Sequence, residues 1–345
     1  MDRALNAMYL DELEMLMADL GEKSFRGRQL FHFFHVERGL DLEKLTVFSK
    51  PLRDQLKHYP IRSGQIIQSL LSRDGSKKLL VQLFDGAVVE SVFMPYENRN
   101  TLCLSTEVGC RMGCVFCAST KAPFQRRLQA EEMLCQVYVV EEIEHQRVDR
   151  VVLMGIGEPL DNYEEVVRFL RLLTHPKGKN LSCRSITLST SGLVPEILRL
   201  SEEGLPINLA ISLHASTDEK RKKTMPIANQ YSIDQLLCAS SHYFEKTGRR
   251  VTFEYVLIHG ENDQEEDLRD LARRFRGPAY HINLLPLNEI QEYQKKSAGQ
   301  GEIYAFKNEL NRRGVQATVR NKRGADIDAA CGQLRIQFEN MGERE

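Results

Sequence analysis

Apolar positions change their spacing along the chain, and each change predicts a different kind of element. In the first 60 residues they recur at three- and four-residue steps: Leu10, Leu13, Met17 and Leu20 form a stripe that stops at Gly21, a suitable helix C-cap. Phe25-Arg26-Gly27-Arg28-Gln29-Leu30-Phe31 opens a second amphipathic segment. Ser49-Lys50-Pro51 starts a third, with Pro in the first turn, where its missing N–H costs nothing. Between about 64 and 95 the texture is that of strands. LLVQLF, Asp85-Gly86 and AVVESVFM read as a β-hairpin with an Asp-Gly turn, and Asp74-Gly75 is a further turn signal before it.

From about residue 101 short apolar runs alternate with helical patterns. TLCLST (101–106), VVLMG (151–155), SITLS (185–189), INLAISL (207–213), VTFEYVLI (251–258), YHINLLP (280–286) and VQATVR (315–320) predict strands. Helical periodicity covers about 130–145, 163–174, 195–203, 232–246, 264–276 and 303–313. This alternation implies parallel βα units, either a barrel or a doubly wound sheet. The chain therefore reads as an α/β protein with a small accessory domain over residues 1–95, helices then hairpin, and a core domain over 96–345. No internal repeat, low-complexity tract or long linker interrupts the pattern.

Composition narrows the setting. The 345 residues are 42% hydrophobic and 28% charged, as in ordinary globular proteins. No apolar run approaches the roughly 18 residues of a membrane span. The N-terminus carries acids among its apolar residues and does not read as a signal peptide. A cytoplasmic protein without membrane association is expected. There, eight cysteines are ligands, nucleophiles or core residues sooner than a disulfide framework. With 47 basic and 48 acidic side chains the net charge is −1, which argues against a wholesale basic coat. Local basic runs remain: Gln125-Arg126-Arg127, Lys220-Arg221-Lys222-Lys223, Arg249-Arg250 and Arg320-Asn321-Lys322-Arg323. Each alone reads as a solvated face; together they could line a phosphate-binding surface.

The densest chemistry is CRMGCVFC, with Cys110, Cys114 and Cys117 in eight residues. A zinc ribbon needs two CxxC pairs, and only one is present, from Cys114 to Cys117. Three thiolates in one loop suit an iron–sulfur cluster with one iron left open, as a catalytic centre requires. The loop also follows the first strand of the βα series, on the face where β/α barrels collect their chemistry. A structural zinc with a distant fourth ligand, or plain core cysteines, are the bland alternatives.

This spacing, with Phe116 before the last thiol, resembles the signature of the radical S-adenosylmethionine superfamily. Two further stretches strengthen the likeness. VVLMGIGEP sets Gly155, Gly157, Glu158 and Pro159 after a strand, with glycines for close backbone approach and a carboxylate for an ammonium group. The ends of later strands carry Ser189, Ser212-Leu213-His214 and Asn288, any of which could merely cap a helix or complete a turn. Cys103 and Cys331, taken alone, are each as well a small buried hydrophobe, although small residues and acids around Cys331 suggest an exposed loop. Cys135, Cys183 and Cys238 read as structural.

FRGRQLF, VESVFMP, TLCLSTEVGCRMGCVFC, GIGEPLDNY, LSTSGLVP, ISLHA, TMPI and DIDAACGQL, in this order, resemble the RlmN/Cfr family of RNA adenine methyltransferases over nearly the whole chain. The resemblance implies a partial (β/α)6 barrel in which Cys110, Cys114 and Cys117 hold a [4Fe–4S] cluster. It implies that Gly157, Glu158, Ser189, Ser212, Leu213, His214 and Asn288 contact S-adenosylmethionine, two of which are used per turnover. Cys331 would carry a methyl group, activated by a 5′-deoxyadenosyl radical for addition to C2 of adenine. Cys103 would resolve the protein–RNA adduct and leave a disulfide, and Glu90 would accept the C2 proton. Read without the family, Glu90 is a solvent-facing strand residue. The implied partners are 23S rRNA, at the peptidyl transferase centre, an anticodon-loop adenosine of tRNA, and a flavodoxin-type electron donor; the implied state is a monomer. GEPLDNY resembles the C2-methylating members, whereas C8-methylating siblings of the Cfr type share every catalytic cysteine. A non-catalytic, zinc-dependent RNA-binding protein and a radical enzyme acting on a small molecule are the competing classes.

Overall fold

The structure, a computed structural model, describes residues 3–334 except 289, 291 and 321. Asn321 of the last basic run and residues 335–345 of the expected core domain thus lie outside the described residues.

Three helices lead the chain: α1 (Leu10–Asp19), α2 (Phe25–His35) and α3 (Lys50–Leu56). Each of the three amphipathic segments forms. Ser49 caps α3 by accepting from the Leu52 N–H, and Pro51 sits in its first turn. A Cβ at Gly27 would stand 2.6 Å from the Glu14 backbone nitrogen, so glycine lets α1 and α2 approach this closely. Arg168 and Arg3, paired with Glu12 and Glu165 respectively, fasten this region to α5 (Tyr163–Thr174) of the core.

Strands β1 (Gly64–Leu71), β2 (Lys77–Leu83), β3 (Val88–Tyr96) and β4 (Arg99–Cys103) run antiparallel to one another. The turn at Asp85-Gly86 closes the β2–β3 hairpin, with Gly86 at φ 88°. Beyond β4, the short β5 (Glu107–Val108) and β6 (Arg126–Arg127) pair with each other and frame the three-cysteine loop. From β4 the sheet continues in parallel through β7 (Arg150–Leu153), β8 (Ile186–Thr190), β9 (Asn208–Ser212), β10 (Val251–Leu257), β11 (Tyr280–Pro286) and β12 (Ala317–Val319). All ten strands other than β5 and β6 belong to one sheet, in the order β1-β2-β3-β4-β7-β8-β9-β10-β11-β12.

The crossover helices are α4 (Ala130–Glu144), α5, α6 (Val194–Ser201), α7 (Asp218–Thr224), α8 (Ile233–Thr247), α9 (Glu265–Arg274) and α10 (Gln300–Arg312). Apolar side chains between helices and sheet form one continuous core from Ala4 to Ala317. A second, smaller cluster joins Val92, Met94, Cys103, Ile156, Ala329 and Leu334 at the C-terminal ends of the first parallel strands. No helix among the described residues is long and apolar enough to cross a membrane.

Candidate active site

The site is built where the parallel strands end. At the end of β4 the buried Gln136 of α4 accepts from the Ser105 N–H and donates to the Ser105 carbonyl, at 2.9 and 3.0 Å. Ser105 in turn accepts from the Ile156 N–H. This ties the approach to the cysteine loop to the loop after β7. Two glycines make the approach possible. A Cβ on Gly155 would stand 2.6 Å from the Leu104 carbonyl oxygen, and one on Gly157 would stand 2.7 Å from Glu107 Cβ. Gly157 also lies at φ 109°, where an L side chain is strained. Gly157→Ala is expected to lower the melting temperature, with strain of about 1–3 kcal/mol. An unchanged melting temperature in a calorimetric scan would contradict this.

Cys110, Cys114 and Cys117 are half-buried and line one cavity of about 170 Å³. Gly155, Gly157, Glu158, Ser189, Ser212, His214, Asn288 and Cys331 line it too. Burial pushes the Cys110 thiol up to about 12 and raises Cys114 and Cys117 as well. Thiols so placed are inert unless a metal centre ionises them. Among the described residues no group of three or more His, Cys, Asp or Glu side chains is placed to hold a metal ion. Asn288 Oδ1, at the cavity, is a buried acceptor without a hydrogen-bond partner among the described residues. A ligand bearing ammonium and hydroxyl donors satisfies such a group. Donor set and acceptor thus fit a cluster together with an amine-bearing cofactor.

Glu158 is buried, and burial raises its carboxyl; it accepts from the Ser191 N–H at 2.6 Å and the Leu160 N–H at 3.0 Å. His214 has φ 54° and is brought down to about 3, first by burial and then by the Arg221 charge. Its Nδ1 accepts from the Val256 N–H at 3.0 Å, so the neutral ring carries its proton on Nε2. Phe116 packs edge-on against this ring, with centroids 4.8 Å apart. Leu213 does not line the cavity. Its side chain is buried in the main core, and its N–H donates to the Glu254 carbonyl, as a residue one step past β9 on the opposite face must.

Cys103 and Cys331 meet at a second cavity, lined also by Val92, Met94, Met154 and Arg320. Cys331 therefore faces both cavities. Asn288 Nδ2 donates to its carbonyl at 2.9 Å, and the Gly332 carbonyl accepts from the Ala118 N–H at 2.7 Å, fixing the loop beside the cluster cysteines. Burial pushes the Cys103 thiol up to about 12, with the Cys331 sulfur adding to the shift. The disulfide expected between these two is not formed: all eight cysteines are free, and buried Cys103 stays a neutral thiol.

Glu90 is not the solvent-facing strand residue that the pattern alone suggests. It is 1% exposed, two residues from Val92 on one face of β3, with Lys78 Nζ 3.6 Å from its carboxylate. Lys78 Nζ also donates to the Asp328 carbonyl of the Cys331 loop. Glu90 lines neither cavity and stands behind Lys78.

Arg320 and Glu254 belong to the site although the sequence reading did not place them there. Arg320 lines both cavities, 3.4 Å from Met154 Sδ, and its guanidinium is raised first by the Cys331 sulfur. Read only as part of a basic run, it gave no signal. Glu254 did give one: it is a lone carboxylate inside the apolar pattern VTFEYVLI, now buried at the cavity wall.

Comparison with known proteins follows the same lines. Residues 104–272 match the Radical SAM superfamily. A crystal structure of a radical SAM methyltransferase from Sphaerobacter thermophilus superposes with a TM-score of 0.90 at 41% identity, over 96% of this chain and 99% of that one. Fold and site together define a radical S-adenosylmethionine methyltransferase, a class whose members carry a [4Fe–4S] cluster and S-adenosylmethionine. Residues 4–60 match the ribosomal RNA large subunit methyltransferase N-terminal domain. A "probable dual-specificity RNA methyltransferase RlmN" of Clostridium perfringens (strain 13 / Type A) is 46% identical over 331 residues, 95% of each chain. Its counterpart from Geobacillus kaustophilus (strain HTA426) is 43% identical over 338 residues, 97% of this chain and 93% of its own. The chain belongs to the RlmN family of dual-specificity RNA methyltransferases.

Proposed function

We propose that this enzyme methylates C2 of an adenosine in 23S rRNA, at the peptidyl transferase centre, and of an anticodon-loop adenosine in tRNA. One observation carries the reading: Cys331 faces both the cavity of the three cluster cysteines and the cavity of Cys103, 228 positions away in sequence. A thiol so placed can be loaded on one side and unloaded on the other.

Adenine C2 is an electron-poor aromatic carbon, so a polar methyl transfer to it fails, and a covalent relay divides the task. When bound by Cys110, Cys114, Cys117 and the Gly157–Glu158 loop, cluster and S-adenosylmethionine supply the electron, the methyl group and the power to abstract hydrogen, with two S-adenosylmethionine molecules consumed per turnover. Cys331 Sγ accepts the methyl group as a thiolate, beside the Arg320 charge. After the sulfur-bound carbon joins C2, the adduct gives up one electron, which would return to a cluster held by Cys110, Cys114 and Cys117, and the C2 proton passes to Glu90 by way of Lys78, whose Nζ lies 3.6 Å from its carboxylate. Cys103 Sγ then attacks Cys331 Sγ: an S–S bond forms, the C–S bond breaks, and the released carbon takes a proton as the product methyl group. The two thiols end as a disulfide, which an external reductant reopens. The free thiols are the state from which this cycle starts.

Residues 1–95 form, in this reading, the accessory domain that contacts RNA, while 96–345 carry the chemistry on an adenine taken out of its stack. A low-potential flavodoxin-type protein supplies the electron, and the enzyme acts as a cytoplasmic monomer. Pro159 in GEPLDNY supports C2 over C8. Nucleoside mass spectrometry of rRNA and tRNA from a methylation-deficient bacterial host, with and without this gene, tests the reading. 2-Methyladenosine in both RNAs is expected. 8-Methyladenosine would reassign the carbon, and neither product would remove RNA as the substrate.

A further inference from the structure

Arg221 belongs to the run Lys220-Arg221-Lys222-Lys223, whose composition suggests a solvated basic face. It is instead fully buried, the largest such side chain among the described residues. Helix α7 carries it inward because Thr217 caps the first turn and accepts from the Lys220 N–H. The guanidinium donates from Nη2 to the Ser191 carbonyl at 2.6 Å and to the Ser212 carbonyl at 3.1 Å, and from Nη1 to the Tyr231 carbonyl at 3.3 Å; its Nε has no hydrogen-bond partner. No ion pair within 4 Å joins it to a described carboxylate. A buried cation stabilised only by carbonyl dipoles is unfavourable unless negative charge lies close by.

The nearby anion source is the cysteine loop. The end of α7 is pinned to that loop, where the Val115 N–H donates to the Thr224 carbonyl at 3.0 Å. The charged groups that act on the guanidinium are the Cys114 sulfur first and Asp218 second. Ser191 and Ser212, whose carbonyls it holds, both line the cluster cavity, so the charge sits directly behind that wall.

We propose that Arg221 is the fixed counter-charge of the iron–sulfur cluster and sets how readily the cluster accepts its electron. The inference rests on Cys110, Cys114 and Cys117 being the cluster ligands. Reduction adds one electron from a low-potential one-electron donor, with no bond made or broken, and places one more negative charge beside the guanidinium. A neighbouring positive charge favours that reduced state. Arg221 is a positioning residue for charge and touches no substrate.

The test is a mediated redox titration of the reconstituted full-length enzyme, followed by electron paramagnetic resonance, with iron content and melting temperature measured on the same samples. Arg221→Gln is expected to lower the ratio of reduced to oxidised cluster about tenfold at fixed ambient potential, which is about 59 mV for one electron. Arg221→Lys, which keeps the charge, should stay within about threefold of wild type. Asp218→Asn removes the second anion but keeps an acceptor for the Ile233 N–H, and should shift the ratio the opposite way. Equal potentials in wild type, Arg221→Gln and Asp218→Asn overturn the proposal, and so does a Lys variant that falls as far as the Gln variant. Should Arg221→Gln lose its cluster, Asp218→Asn decides alone: a rise in reduced fraction upholds the counter-charge, and no rise overturns it. A wild-type protein that holds no cluster would instead refute the ligand assignment itself.

Discussion

Replacing Cys103 with serine is expected to slow turnover by at least about 10³-fold and to leave the protein covalently joined to its RNA. Serine fills nearly the same volume between Val92 and Met154, so the small cluster around residue 103 keeps its packing. The cluster cysteines and the loading of Cys331 are untouched, because they lie at the first cavity. Only the step at the second cavity fails: a hydroxyl does not displace carbon from a thioether sulfur as a thiol does. Cys331→Ser gives the complementary outcome, no product and no adduct, since nothing carries the carbon to RNA. Denaturing gels of labelled rRNA, with and without ribonuclease, separate the two variants. Released methylated product from Cys103→Ser at near wild-type rate would remove Cys103 from the cycle.

The burial of Cys103 explains why its attack needs help. Its thiol is held neutral up to about 12, first by desolvation and then by the Cys331 sulfur, while Arg320 works the other way. In the proposed cycle the Cys331 sulfur is a neutral thioether when Cys103 attacks, so its share of that penalty is absent at that step, while desolvation remains.

Much of this arrangement is legible in the residues, and the exceptions share a cause. The parallel strands appear within a few residues of their apolar runs, since buried strands are written as β-branched and aliphatic residues. The cluster loop is legible because thiols at close spacing have few other uses. Strand β1 escaped a specific assignment because most of GQIIQSLL is half-buried or exposed, so no clean alternation marks it. Helix α7 escaped because DEKRKKT is polar throughout, and its one buried residue is an arginine. Arg221 and Arg320 both read as surface charges, yet each turns inward to acceptors from other segments. Leu213 shares a motif with Ser212 and His214, yet alternation along the chain turns its side chain into the core. Charge buried for function follows tertiary partners, and neither periodicity nor composition reports them.

Those distant partners also decide how Cys331 is aimed, and the Asp74→Ala/Asp326→Ala double variant is expected to lose about 10²-fold in methylation rate while keeping its cluster. The loop before Cys331 is clasped by the β1–β2 turn through two reciprocal carboxylates. Asp326 accepts from Ser72 Oγ at 2.5 Å and from the Arg73 N–H at 3.0 Å. Asp74 accepts from the Gly324 N–H at 2.9 Å. On the other side Arg323 donates to the Pro95 carbonyl at 3.0 Å and stacks 4.1 Å over the Tyr96 ring. Burial works against the Asp74 carboxylate, but the backbone donors of Ser76 and Gly324 hold it down to about 2, so the clasp stays ionised at any pH where the enzyme works. Both carboxylates are on the surface, and their loss leaves the main core intact. What changes is the placement of one sulfur that must serve two cavities, and a misplacement of about 1 Å is enough to cost on the order of 10²-fold. Asp326→Asn, which keeps an acceptor for Ser72, should recover most of the rate. Single-turnover methylation, with the cluster's electron paramagnetic resonance signal and melting temperature as controls, reads the effect. A double variant within about twofold of wild type would mean that Asn288 and the cluster loop suffice to hold Cys331, and that the β1–β2 turn has no part in the reaction.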